Sequence, residues 1–328
     1  MKPSSIAISA GAAAITAMAL SFAPHAAAQG AFPTKNLTMI VPYTPGGSAD
    51  VMSRAIAQRL GEAWGRNIVV DNRPGASGMI GTEMVNKADP DGYTLLGHTS
   101  SYPATAAVRA KLPFDPAKAI IPVGMTARAP MLVAVHPSVP AKNIRELVAL
   151  AKKNPDKFNY GSSGSGGNNH FSGALFASAA GIKMVHVPYK GISLAVTAVA
   201  SGEIEILISS SAALLPQMQA NRVRILAVTS PEKSPLFPDL PTVASQGVPG
   251  YEYFLWWGTF APAGLPAERL AFIHAAINKI VPSEGMKKFL DTQGAEAWPL
   301  PLAQLSDLLP KEIARYKKAA QLANIPPQ

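Results

Sequence analysis

Short, continuously apolar runs alternate with stretches of helical spacing along most of the chain. Strand-length runs at 37–43, 67–70 and 93–97 are separated by helical patterns at 49–60 and 78–87, a β-α-β-α-β order. A second copy follows, with helices at 143–153, 171–180, 194–200 and 212–220 and strands at 158–160, 184–187, 204–208 and 224–228. Strands this short, apolar throughout and joined by helices, belong to parallel sheets covered on both faces. The right-handed crossover rule sets the winding of each unit. The pattern predicts two doubly wound α/β lobes.

Two connections join the copies. Extended apolar stretches at 120–123 and 131–135 take the chain across once, and a proline-rich loop at 231–249 followed by an extended aromatic stretch at 251–260 brings it back. This assigns 30–128 and 256–328 to a first lobe and 129–255 to a second, with a cleft between them. A helix at 266–280 begins at Pro266 and places Leu270, Ile273 and Ile277 on one face. A last helical tail at 302–323 contains Pro310, which predicts a kink or a split. Two lobes joined by two strands close over a small ligand by hinge motion.

Composition removes whole function classes. With 328 residues, 48% hydrophobic and only 15% charged, the chain is globular with a quiet surface. The lack of cysteine excludes disulfide scaffolds, thiolate metal sites, a catalytic thiol and a lipid-modified cysteine. A balance of 29 Lys and Arg against 20 Asp and Glu gives +9, a field that favours anionic partners. The basic residues are scattered, grouped at most in pairs such as Lys152-Lys153, Lys287-Lys288 and Lys317-Lys318. No reading module accompanies them, so nucleic acid is not expected as a partner. At the start, Lys2, the apolar stretch 6–22 and Ala26-Ala27-Ala28 form a secretory signal pattern, with cleavage expected after Ala28 and export from the cytoplasm.

In open α/β sheets, ligands bind beyond the carboxyl ends of the strands. There the first lobe has Thr44-Pro45-Gly46-Gly47-Ser48-Ala49-Asp50, with Ser48 a candidate helix N-cap. Glycines let backbone N–H groups approach a ligand, and the helix start adds partial positive charge, which suits a carboxylate. A plain strand-to-helix turn is the alternative. The second lobe has Gly161-Ser162-Ser163-Gly164-Ser165-Gly166-Gly167-Asn168-Asn169-His170, ten residues without a hydrophobe, suited to an anion cradle or else a flexible linker. Asn169 stands where a dinucleotide fingerprint needs its third glycine, and no Gly-Lys-Ser/Thr follows for a P-loop.

Catalytic motifs are missing. No G-x-S-x-G elbow occurs, and His98, His136, His170, His186 and His274 lack metal-ligand spacing, so neither metal nor cofactor is expected. His136 and His186 read as core residues, and His170 as a helix cap or ligand contact. Glu203 and Glu205 alternate along one strand edge as a solvated face.

Taken together, certain motifs resemble a known family. Pro42-Tyr43-Thr44-Pro45-Gly46-Gly47-Ser48-Ala49-Asp50, Asp71-Asn72-Arg73-Pro74-Gly75-Ala76-Ser77-Gly78 and Asp89-Pro90-Asp91-Gly92-Tyr93 occur in order. Asn159-Tyr160-Gly161-Ser162-Ser163-Gly164, Val187-Pro188-Tyr189-Lys190-Gly191, Leu226-Ala227-Val228-Thr229-Ser230 and Leu240-Pro241-Thr242-Val243 follow them. This set is similar to the Bug/TctC receptors of tripartite tricarboxylate transporters and covers nearly all of the chain beyond the signal pattern. The resemblance implies a type II periplasmic binding protein fold (Venus flytrap), a monomer without catalysis, and capture of a small organic carboxylate for a membrane permease. It carries ligand contacts onto Gly47, Ser48, Ala49 and Asp50 on one side and Ser162, Gly164, Gly166, Asn169 and His170 on the other. Tyr43, Thr99, Ser100 and Tyr189 then line the pocket.

The departures matter as much. Where family members often carry Phe-Asp-Asn, this chain has Ile208-Ser209-Ser210, so the carboxylate that pairs with an amino group is missing. An unpaired buried ammonium is costly. Ser209 therefore points to a di- or tricarboxylate or an aromatic carboxylate rather than an acidic amino acid. Gly167 replaces a frequent hydroxyl residue, and Trp256 and Trp257 either stack on an aromatic ligand or pack the hinge. Two other functions stay open: a receptor feeding a signalling partner, and a secreted hydrolase using Ser48 or Ser165.

Overall fold

The computed structural model describes residues 32–327, so the signal pattern at 1–28 lies outside the described residues. The first β-α-β-α-β unit forms as β1 (Leu37–Val41), α1 (Ser48–Trp64), β2 (Ile68–Asn72), α2 (Met79–Asn86) and β3 (Thr94–Thr99). β1 lies between β2 and β3, parallel to both. Leu37, Met39, Ile40 and Val41 are all buried, because helices cover both faces of this strand; its apolar run is therefore continuous. Gly65 ends α1 in the left-handed region (φ 61°), donating its N–H to Gly61 O and turning the chain back toward β2.

After α3 (Ser101–Val108) the chain enters β4 (Ile120–Pro130), passes Met131 and becomes β5 (Leu132–Val135) of the second sheet. α4 (Ile144–Lys153), β6 (Asn159–Ser162), α5 (Asn168–Ala180), β7 (Val185–Pro188), α6 (Ile192–Ser201), β8 (Ile206–Ser209), α7 (Ser211–Gln219) and β9 (Arg224–Val228) complete that lobe. β10 (Phe254–Pro262) returns to the first sheet, followed by α8 (Ala267–Ile280), α9 (Glu284–Thr292), β11 (Glu296–Ala297), α10 (Leu302–Leu305) and α11 (Leu308–Leu322). The sheet orders are β11-β4-β10-β3-β1-β2 and β7-β6-β8-β5-β9. Two α/β lobes with two crossing segments are thus present, but both sheets are mixed. The crossing strands insert within the sheets: β10 runs antiparallel to β3 and β4, and β5 runs antiparallel to β8 and β9.

The crossing segments are tied where they change sheets. Met131 N donates to Thr229 Oγ1 (2.7 Å), Thr229 N to Met131 O (2.9 Å), and Tyr253 N to Thr229 O (2.9 Å). Trp257 is buried in the largest core cluster beside Met131, and Trp256 packs near Phe260 with its indole N–H on Glu312 (2.9 Å). Both tryptophans serve packing at the crossing, the second of the two expected roles.

Three helical expectations change. α5 starts at Asn168, so Asn168, Asn169 and His170 are helical rather than loop. The tail breaks at 306–307, ahead of Pro310, which sits in the first turn of α11 where its missing N–H costs little. α3 and α9 were not expected. Pro103 masks the first, although it too occupies a first turn, and the second is short but carries its start signal in Ser283, whose Oγ accepts from Met286 N (3.4 Å). Among the described residues, no helix is long and apolar enough to cross a membrane.

Candidate functional site

The cavity between the lobes lies where strands hand over to helices. The β1–α1 loop brings Tyr43, Gly47, Ser48 and Ala49; the β3–α3 turn brings Thr99 and Ser101; Met131 and Leu255 come from the crossing segments. The second lobe adds Ser163, Asn168 and Asn169, then Ile192, and Ser209 and Ser210. Five helices, α1, α3, α5, α6 and α7, begin at this wall. α1, α5 and α6 have glycine N-caps (Gly47, Gly167, Gly191) with no side-chain bond from the cap residue; at the start of α5, Asn168 N–H donates instead to Ser101 Oγ (3.2 Å) of the other lobe. Their partial positive charges converge on a space whose lining holds neither Asp nor Glu among the described residues. Met131, Ile192 and Leu255 add apolar surface for a hydrocarbon body.

Asn168 supplies a further donor. Its Oδ1 accepts from Ser100 Oγ (3.1 Å), Tyr253 OH (2.9 Å) and Tyr316 OH (3.2 Å), which fixes the amide. Its Nδ2 is buried without a protein partner, a costly arrangement unless an acceptor in the cavity meets it. Burial pushes the Tyr43 phenol up to about 12, against weaker opposing hydrogen bonds to Ser101 and Thr99, so it stays a neutral hydroxyl. Burial takes His98 down to about 3, so the imidazole near Tyr43 is neutral and accepts Thr99 N–H at Nδ1 (2.8 Å). The cavity is thus a set of neutral donors and dipoles suited to a carboxylate.

Of the residues singled out in the sequence, Tyr43, Gly47, Ser48, Ala49, Thr99, Asn169 and Ser209 line this cavity. Gly164 and Tyr189 line an adjoining opening that shares Tyr43 and Ser163 with it. Five lie behind the wall. Burial opposes ionisation of Asp50, but hydrogen bonds from Arg54, Gly46 N–H and Asn72 hold its carboxyl below the usual range, and that network occupies its oxygens. Ser100 is spent on Asn168. Ser162 Oγ meets His186 Nε2 at 2.6 Å. Gly166 N–H and His170 Nδ1 bond each other (3.0 Å), and the His170 ring stacks on His186 at 3.8 Å. Ser48 is the first helical residue rather than the N-cap, which is Gly47. Glu203 and Glu205 are engaged, not merely solvated: Glu203 accepts from Tyr189 OH (2.7 Å) and Glu205 from Asn159 N (2.8 Å). Among the described residues, serine–histidine hydrogen bonds join Ser138 to His136 and Ser162 to His186; neither involves Ser48 or Ser165.

Gly166 has a different task from ligand contact. Its φ is +77°, an added Cβ would lie 2.7 Å from Val108 Cγ2 in the opposite lobe, and its carbonyl accepts from Thr105 Oγ1 (3.2 Å). Ser77 Oγ donates to Ser165 O (2.9 Å) beside it. Gly166→Ala is expected to wedge the lobes apart, lowering ligand affinity by roughly tenfold, about 1.4 kcal/mol, with the cavity wall unaltered. Calorimetry and solution scattering check this; wild-type affinity with wild-type compactness would contradict it.

Known proteins resemble this chain in sequence and fold. The model of the tripartite tricarboxylate transporter family receptor matches residues 52–325. Protein BugT of Bordetella pertussis is 30% identical over 287 residues, covering 87% of this chain and 88% of BugT. The structure of R. palustris Rpa4515 with adipate is 35% identical, with a TM-score of 0.87 over 90% of this chain and 100% of that one. MatC from Rhodopseudomonas palustris, with bound malate, is 26% identical with a TM-score of 0.81 over 88% of this chain and 99% of its own. By sequence and fold, this chain belongs to the TctC family of tripartite tricarboxylate transporter receptors, which are solute-binding proteins.

Proposed function

We propose that the protein captures a small organic carboxylate in the periplasm, after removal of residues 1–28, and hands it to a membrane permease. The ligand is a di- or tricarboxylate or an aromatic carboxylate that bears no cationic amine. The observation that carries this is the cavity wall: the glycine-capped starts of α1, α5 and α6 converge on a space whose lining holds no acidic side chain among the described residues. A carboxylate suits those helix starts, whereas an ammonium would find no acidic side chain there to pair with. The adipate and malate bound by the two related proteins are carboxylates of this kind. In this reading 30–128 with 256–328 and 129–255 act as lobes hinged where Met131, Thr229 and Tyr253 are tied.

The test is a thermal-shift panel on the chain from Gln29 onward, followed by calorimetry, with aliphatic di- and tricarboxylates, aromatic carboxylates and acidic amino acids. A native-state ligand at a hundred times its Kd adds about 2.7 kcal/mol and raises the melting temperature by roughly 5 °C or more. Ser209→Asp is expected to weaken the best dicarboxylate by at least tenfold and shift preference toward aspartate or glutamate, with Ser209→Asn as the neutral control. Tighter binding of an acidic amino acid than of every dicarboxylate by the wild-type protein would overturn the ligand class.

A further inference from the structure

The cavity continues, past Tyr43 and Ser163, into a larger opening of about 1430 Å³. The two spaces differ in one respect. The inner one is lined without a charged side chain, while the outer one carries two cations, Arg109 and Lys190, and no acid among the described residues. Arg109 is the C-cap of α3 in the first lobe, and only its backbone N–H is bonded there, to Thr105 O. The Nε of its guanidinium is buried without a partner. A guanidinium held partly out of water with an orphaned donor is poised for a planar anion. Lys190 approaches from the second lobe and forms no ion pair among the described residues. Glu203, the acid held by Tyr189 OH, does not line the space.

We propose that Arg109 and Lys190 form a second anion subsite, taking the far carboxylate of an extended dicarboxylate whose near carboxylate sits at the helix starts of the inner cavity. This rests on the carboxylate-receptor reading and narrows it to dianions long enough to pass Tyr43. Because one cation comes from each lobe, the far carboxylate bridges the lobes and its binding favours their closure. The charge pattern supplies the selectivity: dipoles and amides hold the first carboxylate, and formal charges reward the presence of a second. A monocarboxylate of the same length leaves Arg109 unpaired and gains nothing from it.

Calorimetry with hexanedioate and hexanoate, on the wild-type protein and on Arg109→Gln and Lys190→Gln, tests this. Lys190 is exposed, so its variant serves as a second test that leaves packing undisturbed. The expected result is a preference of at least tenfold for the dianion in the wild-type protein. That preference shrinks at least fivefold in each variant, while hexanoate affinity changes by less than twofold. An unchanged dianion-to-monoanion ratio in both variants, with dicarboxylates still bound, overturns the subsite and leaves the receptor reading intact. Equal affinity of the wild-type protein for the two probes overturns it as well. Failure of every carboxylate in the panel to bind the wild-type protein overturns both readings.

Discussion

Asn168→Asp is expected to fold as the wild-type protein does and to lose its ligand. The substitution keeps the shape and keeps an oxygen for the three hydroxyls of Ser100, Tyr253 and Tyr316, so the buried network survives. What changes is the other arm of the side chain, from an unengaged NH2 donor to a negatively charged acceptor on the cavity wall. Two like charges about 4 Å apart at an effective dielectric of about 20 repel by roughly 4 kcal/mol. Even if half of that is relieved by partial protonation, the remaining ~2 kcal/mol weakens a carboxylate by more than tenfold, and the full value by about a thousandfold. Asn168→Leu separates binding from folding: it removes the acceptor shared by three buried hydroxyls, leaving Tyr253 and Tyr316 only each other, and is expected to lower the melting temperature markedly. Calorimetry and thermal melts of both variants decide the matter. Carboxylate affinity within threefold of wild type in Asn168→Asp would remove this amide from the site.

Acid is expected to cost the fold several kcal/mol well before the carboxylates titrate. Burial holds His98 near 3 and His170 near 4, and burial together with the charge of His170 holds His186 near 3. In the unfolded chain each titrates near 6.5. Depressed folded values mean that the unfolded chain binds protons the native state refuses. The contribution is complete above about pH 6.5 and is lost as pH falls toward 4 and 3, by about 1.4 kcal/mol per pH unit for each group. A melting temperature at pH 4.5 roughly 10 °C or more below that at pH 7.5 is the expected outcome. Binding by the native protein is expected to weaken only as pH falls to about 4, where protonating His170 at Nδ1 breaks its bond from Gly166 N–H, and Gly166 is a point of contact between the lobes. His186→Gln removes one of the stacked rings and is expected to flatten the acid limb of the melting curve. A melting temperature constant from pH 7.5 to 4.5 would contradict the assignment of these histidines as neutral groups in the native state.

The extent to which the site was legible differs between its parts. The two glycine-bearing strand-to-helix loops were readable because their signals are local: a hydrophobic run ends, glycines follow, and a helical period begins. Six residues read from those motifs and from Ser209, with Thr99 from the turn after β3, do line the cavity. Asp50 belonged to the same motif, yet its oxygens are taken by Gly46 N–H and Arg54 nearby in sequence and by Asn72, which β2 brings up beside β1. Asn168 lies within the second loop motif beside Asn169 and His170, but nothing local distinguishes it from them. Its role depends on Ser100, Tyr253 and Tyr316, which are 68, 85 and 148 positions away. Arg109 gave no signal, because nothing nearby in sequence shows that its neighbours would leave it without a counter-charge.

The amino-acid sequence by itself determined the succession of strands and helices, the two-lobed α/β class, the chain's membership of its family and the absence of an acid at Ser209. Each of these follows from periodicity, glycine placement or residue identity, which act over a few positions. Tertiary structure decided the rest: the mixed character of the sheets, the division of the loop residues between wall and support, and the placing of Arg109 and Lys190 along one opening. Those features depend on which distant groups come within hydrogen-bonding distance once apolar faces are buried, and burial dictates that the faces meet without naming the polar partners they bring together.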